Sequence, residues 1–347
     1  IPAGAVGKLA GLGGERSSPE EELDLLKRFS QESGRPVTFT LVETRDYAPD
    51  LWRHLLQLTH EANDNGAQLF PQVPSRSIGF LSGLSSYHAF MRRPTYIAKM
   101  AELPLAERAA AMRDPAMKAQ IMAERDIPFE APGSMMNLYS LFRQGAAIMY
   151  PLNDPIDLEA GQEASIGALA QAAGQEPLDY LYDFLVAGDG THFASLSRPN
   201  LPESNVVLEE MLTHPDTVTG LSDAGAHVTL ICDATMPTTQ LTYWTRDRKK
   251  GHTLPIEFLV HKQTARNAAL YGLSDRGSLE VGKRADINVI DYANLAASSP
   301  VAHHDLPAGG TRIMQPVKGY RATFCNGVMI RENDADTGAR PGRLVRS

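Results

Sequence analysis

The sequence predicts a chain of the α/β class: a parallel sheet built from strand–helix units, with a small antiparallel β module after it. Three observations carry that expectation. Short apolar, β-branched runs alternate with longer amphipathic runs of helical period. Glycine closes the amphipathic runs, at Gly34, Gly66 and Gly272. Past Gly272 the helical period gives way to β-branched residues punctuated by Gly and Asn.

The first amphipathic run is PEEELDLLKRFSQES at 19–33. Pro19 and the acidic Glu20–Glu22 stand in its first turn, where a fixed φ and negative charge favour a helix start. VTFTLV at 37–42 follows as a strand, PDLWRHLLQLTHEANDN at 49–65 as a helix, and AQLFPQV at 67–73 as a strand interrupted by Pro71. Residues 94–131 are rich in Ala, Met and Arg and read as a helical insertion. Further helices are expected at 163–173, 177–187 and 203–213, and further strands at HFASLS (192–197) and TVTGLS (217–222). PIEFLVHKQTARNAALY at 255–271 reads as one long helix. GSLEVGKRADINVID at 277–291 and TRIMQPVKGYRATFCNGVMI at 311–330 form the antiparallel module.

At 347 residues, 43% hydrophobic and 21% charged, the chain can bury one large core and a smaller one. A net charge of −8 argues against nucleic acid as a partner. No apolar run approaches the ~18 residues that span a bilayer, so no membrane partner is expected. Cys232 and Cys325 cannot build a disulfide framework, which suits a reducing, cytoplasmic compartment. The opening IPAGAVGKLAGLGG reads as a strand end running into a Gly-rich loop, so the chain is expected to begin in mid-domain.

Several familiar motifs fail. GAVGKL at 4–9 has two residues between its glycines and Leu9 after the lysine, where a phosphate-binding loop needs four and a Ser or Thr. No Cys-x-x-Cys or His-Glu-x-x-His occurs. Ser82 and Ser85 near His88 lie outside any Gly-x-Ser-x-Gly elbow, which disfavours a serine hydrolase.

Two constellations remain. The first runs from Thr264 through Asn267-Ala268-Ala269, Gly272-Leu273 and Asp275-Arg276-Gly277-Ser278-Leu279 to Gly282, Lys283, Ala285-Asp286 and Asp291. This order resembles the amidohydrolase superfamily, in which a last barrel helix leads back to a small β-sandwich. It reports architecture and carries no chemistry of its own. The second is GLSDAGAH at 220–227, a carboxylate in a small-residue turn after a short β-like run. Followed by ICDATMPTTQLTYWTRDR at 231–248 and TGARPGRLVRS at 337–347, it resembles the N-acyl-D-amino-acid deacylase (D-aminoacylase-like) branch of that superfamily.

The resemblance implies an incomplete TIM-like (β/α)8 barrel, its C-terminal half, followed by a small β-sandwich module. Residues 1–272 would hold the barrel part with the insertion near 94–131, and 273–347 the sandwich portion and tail. It implies a metal-dependent hydrolase of non-peptide C–N bonds, acting on a small-molecule N-acyl amino acid or related amide. Asp223 would be general base, then acid, and metal ligand. Amide hydrolysis needs a deprotonated water and a protonated leaving amine, and one carboxylate can carry that proton both ways. On residue type alone, an Asp before Ala-Gly is more often a helix N-cap or an Asx turn; the neighbouring blocks reverse that weighting. Arg76, beyond a strand end, is a candidate to grip a substrate carboxylate, with a surface arginine as the plain alternative. His227 is a second substrate-binding candidate, set against a satisfied structural histidine at a helix start. His54, His60, His192, His214 and His261 read as surface or packing residues.

The sequence also departs from the family. No His-x-His occurs, although the superfamily's metal site starts from one. VTFTLVET carries Thr40 and Leu41 where a middle-strand imidazole is expected, and IPAG lacks one in a second such place. About four strand–helix units precede the β module, half of the eight a barrel needs. The cofactor expected is therefore a divalent metal, zinc first, in the complete protein, with none required to bind these residues alone. A cyclic-amide hydrolase of the same superfamily and a non-catalytic fragment needing its N-terminal half or a partner chain are the alternatives. Self-association into a homo-oligomer stays open.

Overall fold

A computed structural model of the chain describes residues 18–43, 49–130, 135–198, 205–222, 225 and 227–345, with the backbone alone at 135, 136, 197 and 198. The expected α/β class is what it shows. Helix α1 (Pro19–Ser33) opens with a reciprocal cap: the Glu21 amide donates to Ser18 Oγ and the Ser18 amide to Glu21 Oε2. Gly34 closes it at φ 65, a conformation that suits a residue without Cβ. Strand β1 (Val37–Thr40), helix α2 (Leu51–Asp64) and strand β2 (Leu69–Val73) follow. The strands pair in parallel from Val37↔Leu69 to Thr40↔Gln72.

The chain then leaves this sheet for a long excursion through β3 (Ile78–Gly83), α3 (Pro94–Lys99), α4 (Leu105–Met112), α5 (Pro115–Ala123), α6 (Tyr139–Gln144), β4 (Tyr150–Pro151), α7 (Ile166–Ala173), α8 (Pro177–Val186) and β5 (Phe193–Arg198). It returns through α9 (Val206–Thr213) to β6 (Val218–Thr219), which adds to β2 in parallel at Gln72↔Val218 and Val73↔Thr219. Helix α10 (Met236–Thr242) runs into a π-helical turn at Tyr243–Asp247, and α11 (Ile256–Gln263) and α12 (Ala265–Leu270) follow. The last part holds β7 (Ile287–Ile290), β8 (Ala296–Ala297), β9 (Val301–Leu306), β10 (Gly310–Met314), β11 (Val317–Lys318), β12 (Tyr320–Cys325), β13 (Val328–Glu332) and β14 (Ala335–Asp336). Four of these make an antiparallel sheet in the order β14-β13-β12-β7.

Pro71 sits inside the central strand of the parallel sheet, a place proline usually avoids. The register explains it. The Leu41 amide donates to Gln72 O at 2.9 Å, so even-numbered residues of β2 face β1 and Pro71 turns its missing N–H toward β6. Strand β6 begins pairing only at Gln72, so no ladder bond is lost.

Three expectations change. HFASLS is a strand, but it runs antiparallel to β3 and β4 in a sheet of its own, because its partners arise within the excursion. The described parallel sheet thus has three strands. The long helix expected at 255–271 is broken at Thr264 (φ −114, ψ −85) into α11 and α12. In 277–291 only Ile287–Ile290 is strand, because side chains tie the earlier residues together instead of a ladder. Lys283 Nζ donates to Ser278 Oγ, and Arg276 and Arg284 both pair with Asp286.

Two cores result. The parallel sheet buries Val37, Phe39 and Leu69 completely against α1, α2, α9 and Trp244, as a sheet covered on both faces requires. The excursion has its own core around Phe90, Phe142, Ile166 and Tyr182. A small third cluster, Leu81, Phe193, Cys232 and Ile313, joins the excursion to the C-terminal strands.

The N-terminal edge of the parallel sheet is closed by polar groups. Buried Lys262 donates to Thr217 Oγ1 at 2.8 Å and to the His214 carbonyl, and burial pushes its ammonium down to about 8. His60 Nδ1 lies 2.8 Å from Asp216 Oδ2, and Asn63 Nδ2 donates to Asp216 Oδ1. The hydrogen bond with Asp216 raises the His60 pKa above its usual 6.5, with Asp64 adding to it. A raised folded pKa stabilises the fold below the unfolded value and loses that contribution as pH rises through the folded one. The melting-temperature advantage of the protein over His60→Gln is therefore expected to be full near pH ~5.5 and to fade above pH ~6.5. An advantage constant across that range would contradict the pairing.

Candidate functional site

The C-terminal ends of the three parallel strands define one face. Strand β1 is followed by Leu41, Val42 and Glu43, β2 by Pro74, Ser75 and Arg76, and β6 by Gly220, Leu221 and Ser222. Asp223 follows directly in the sequence, but it lies outside the described residues, as do Ala224 and Ala226. In α/β folds this is the end of the strands where ligands bind.

Gly220 is fixed by its neighbour. Its amide donates to Val73 O at 3.2 Å, and a Cβ there would come within 3.0–3.2 Å of the Gln72 side chain. Leu221 (φ 64), Gly225 (φ 87) and His227 (φ 46) are all left-handed. Two of these are not glycine, and such backbone strain concentrates at functional turns. His227 is exposed and does not start a helix. Its carbonyl accepts from the Leu230 and Ile231 amides at 2.7 and 2.9 Å, which closes a tight turn.

The segment after this turn is held from three sides. The Ile313 amide of β10 donates to Val228 O at 2.7 Å, and the Leu81 amide of β3 to Leu230 O at 2.8 Å. Ser86 Oγ donates to Thr229 O. From β2's end, Arg76 Nη2 donates to Cys232 O at 3.2 Å, and Nη1 pairs with Asp233 Oδ1 at 2.7 Å. Trp244 Nε1 donates to Ser75 O at 2.7 Å, and Ser75 Oγ to Met236 O at 2.8 Å, which locks the β2 end onto α10.

Arg76 is thus at the strand-end face that the sequence indicates, with a charge that Asp233 already neutralises. It can take a substrate carboxylate only by sharing its fork of donors with Asp233. Sequence reasoning gave no role to Asp233, Ser75 or Trp244. Asp233 stood inside the ICDAT block, but a carboxylate there has no spacing that announces an arginine so far back in the chain.

Other groups are chemically quiet. Burial pushes the Cys232 thiol up to about 11, far from a thiolate. His88 is fully buried, packed edge-on against Tyr96 at 4.6 Å, and burial pushes it down to about 3, so it is neutral. Exposed His192 lies against Phe184, with ring centroids 5.4 Å apart.

A metal centre needs three or four nitrogen, sulfur or carboxylate ligands. Among the described residues no group of three or more His, Cys, Asp or Glu is placed to hold one. The ends of β1 and β2 carry Thr40-Leu41 and Gln72-Val73, and the IPAG segment lies outside the described residues. Among the described residues, the donors on this face do not make up the metal site that the superfamily resemblance implies.

The amidohydrolase family profile matches residues 4–331. The chain belongs to the amidohydrolase family. It is similar to a D-aminoacylase of Alcaligenes xylosoxydans xylosoxydans, 25% identical over 266 residues, covering 75% of this chain and 48% of that one. An N-acyl-D-aspartate deacylase of the same organism is 32% identical over 97 residues, 28% of this chain and 18% of its own length. Among solved structures, a D-aminoacylase aligns with TM-score 0.48 and 16% identity over 92% of this chain and 52% of its own. An N-acyl-D-glutamate deacylase from Bordetella bronchiseptica, complexed with zinc and a phosphonate inhibitor, aligns with TM-score 0.45 and 14% identity over 95% and 53%. The amidohydrolase chain spans about half the length of the D-aminoacylase it matches, 48%. No helix among its described residues is long and apolar enough to cross a membrane.

Two outcomes follow for this amidohydrolase. Arg76 and Asp233 are 16% and 7% exposed, so Asp233→Ala leaves a buried charge unpaired and should cost about 3–5 kcal/mol in denaturant unfolding. The double variant Arg76→Met with Asp233→Leu should recover most of that loss. A single-variant cost no larger than the double's would remove the pair from this account. Elemental analysis of the 347 residues after dialysis should find well below one zinc per chain. One tightly held zinc coordinated by these residues alone overturns that expectation.

Proposed function

We propose that this amidohydrolase serves as a hydrolase of the amide bond in N-acyl-D-amino acids, with Asp223 as the group that moves the proton. The observation that carries the reading is the GLSDAGAH turn at the C-terminal end of a parallel strand, in a chain of this family. Water must lose a proton to attack the carbonyl, and the amine must gain one to leave. A carboxylate at the strand end can accept the first and return it in the second step.

The same reading takes the chain as the C-terminal half of a (β/α)8 barrel with a β-sandwich module, divided near residue 272. It gives the complete protein a divalent metal, zinc first, and a cytoplasmic location in keeping with the free Cys232 and Cys325. The 347 residues are not assigned that metal's ligand set beyond Asp223. His227 is assigned to substrate contact, supported by its exposure next to the turn. Arg76 is assigned to the substrate carboxylate through the donors it does not spend on Asp233.

The test is kinetic and uses the complete protein. Asp223→Asn keeps the size of the side chain but cannot carry a proton, so kcat on N-acyl-D-amino acids should fall ~10²–10⁴-fold with folding intact. Arg76→Ala should raise KM more than it lowers kcat if it meets the carboxylate. Near-normal turnover in Asp223→Asn refutes the assignment. Turnover of cyclic amides but not of N-acyl-D-amino acids would transfer the activity to the neighbouring branch of the family.

A further inference from the structure

The motif that runs from Thr264 to Asp291 carries no chemistry of its own, yet one of its residues reaches the site strand. Asn267 lies on α12, and its Nδ2 donates to both Thr219 O and Thr219 Oγ1, each at 3.3 Å. Thr219 is the last residue of β6 and stands four positions before Asp223. A carbonyl oxygen can only accept, so the amide nitrogen must face it and Oδ1 must point elsewhere. That Oδ1 is buried and has no hydrogen-bond partner among the described residues.

A second asparagine clamp in the same sheet gives the contrast. Asn63, on α2, binds β2 at its opposite end and uses both halves of its carboxamide. Its Oδ1 accepts from the Leu69 amide at 2.7 Å, and its Nδ2 donates to Leu69 O at 2.9 Å and to Asp216 Oδ1 at 3.1 Å. That is a satisfied structural clamp. Asn267 differs: it spends its donor on the strand, and among the described residues its buried acceptor is left open.

The break at Thr264 makes the contact reachable. It ends α11 and starts α12 on a new course, and the Gly277 turn is packed so closely on α12 that a Cβ there would meet Ala268 Cβ at 2.7 Å. Helix break, asparagine and glycine turn together press α12 onto a strand only two residues long.

We propose that Asn267 is a positioning residue for the reaction: it fixes the end of β6, the strand that leads in sequence to Asp223. This rests on the reading of Asp223 as proton carrier. Misplacing a reacting group by about an ångström can cost on the order of 10²-fold in rate. In the complete protein, Asn267→Ala should lower kcat on N-acyl-D-amino acids by roughly 10- to 10²-fold and leave KM within about twofold. Asn267→Asp, which matches the shape but loses the donor, should lose as much. Asn63→Ala should weaken the fold while leaving kcat per folded molecule unchanged.

Hydrogen exchange on the 347-residue chain reads the same claim without activity. Exchange at the Gly220, Leu221 and Ser222 amides should speed up in Asn267→Ala and stay unchanged in Asn63→Ala, which should instead loosen Leu69. Unchanged exchange at 220–222 in Asn267→Ala overturns the positioning role. So does a kcat loss in Asn63→Ala equal to that in Asn267→Ala. A wild type inactive on N-acyl-D-amino acids, or an Asp223→Asn without effect, sinks the function itself. The exchange result then still decides the clamp.

Discussion

Strand β6 contributes two residues to the parallel sheet, and everything proposed for the site stands on where that strand ends. Two ladder positions, Gln72↔Val218 and Val73↔Thr219, cannot by themselves hold the following residues, of which Leu221, Gly225 and His227 are left-handed. A ladder bond has a small net worth of about 1 kcal/mol, and the turn spends part of that on strained φ values. The short strand must be held by what surrounds it. Asn267 grips its end, Gly220 lies flush on Gln72, and the residues after the turn are bonded to β3, β10 and Arg76. Gly220 is therefore tied to the sheet, and residues 228–232 to the excursion and the C-terminal strands, through backbone carbonyls.

That arrangement explains why the two halves of the parallel sheet look so different. The N-terminal edge is paired and saturated: His60, Asn63, Asp216, Lys262 and Thr217 answer one another's donors and acceptors. Among the described residues the C-terminal edge carries an open acceptor at Asn267, strained φ values and the buried Arg76–Asp233 ion pair. Saturated polar pairs and strained backbone thus lie at opposite ends of the strands.

The sequence made local structure legible where the signal is local. The 19–33 helix could be read because Pro19, Glu20–Glu22 and Gly34 are terminus chemistry in the segment or directly beside it. The break at Thr264 could not, since the 255–271 period is helical throughout and only contacts with β6 and the Gly277 turn divide it. HFASLS was legible as a strand but not as antiparallel, because the direction of a partner is set by chain more than 100 residues away, at Ile78–Gly83. GSLEVG reads as alternating, yet Leu279 and Val281 stand 81% and 108% exposed, held in turns by Lys283, Arg276 and Arg284.

The site was legible by type rather than by partner. Arg76 was recognisable as an arginine past a strand end, but its company, Asp233 and the Cys232 carbonyl, comes from a segment that also had to be brought there by Leu81, Ser86 and Ile313. A charge-assisted fork between two loops is invisible to spacing rules, because neither loop's local pattern depends on it. The same holds for Asn267, which in sequence is one small polar residue among alanines and in space is the side chain bonded to the strand that leads into the GLSDAGAH turn. A motif that is architectural in sequence thus reaches, through Asn267, the end of the strand that leads in sequence to Asp223.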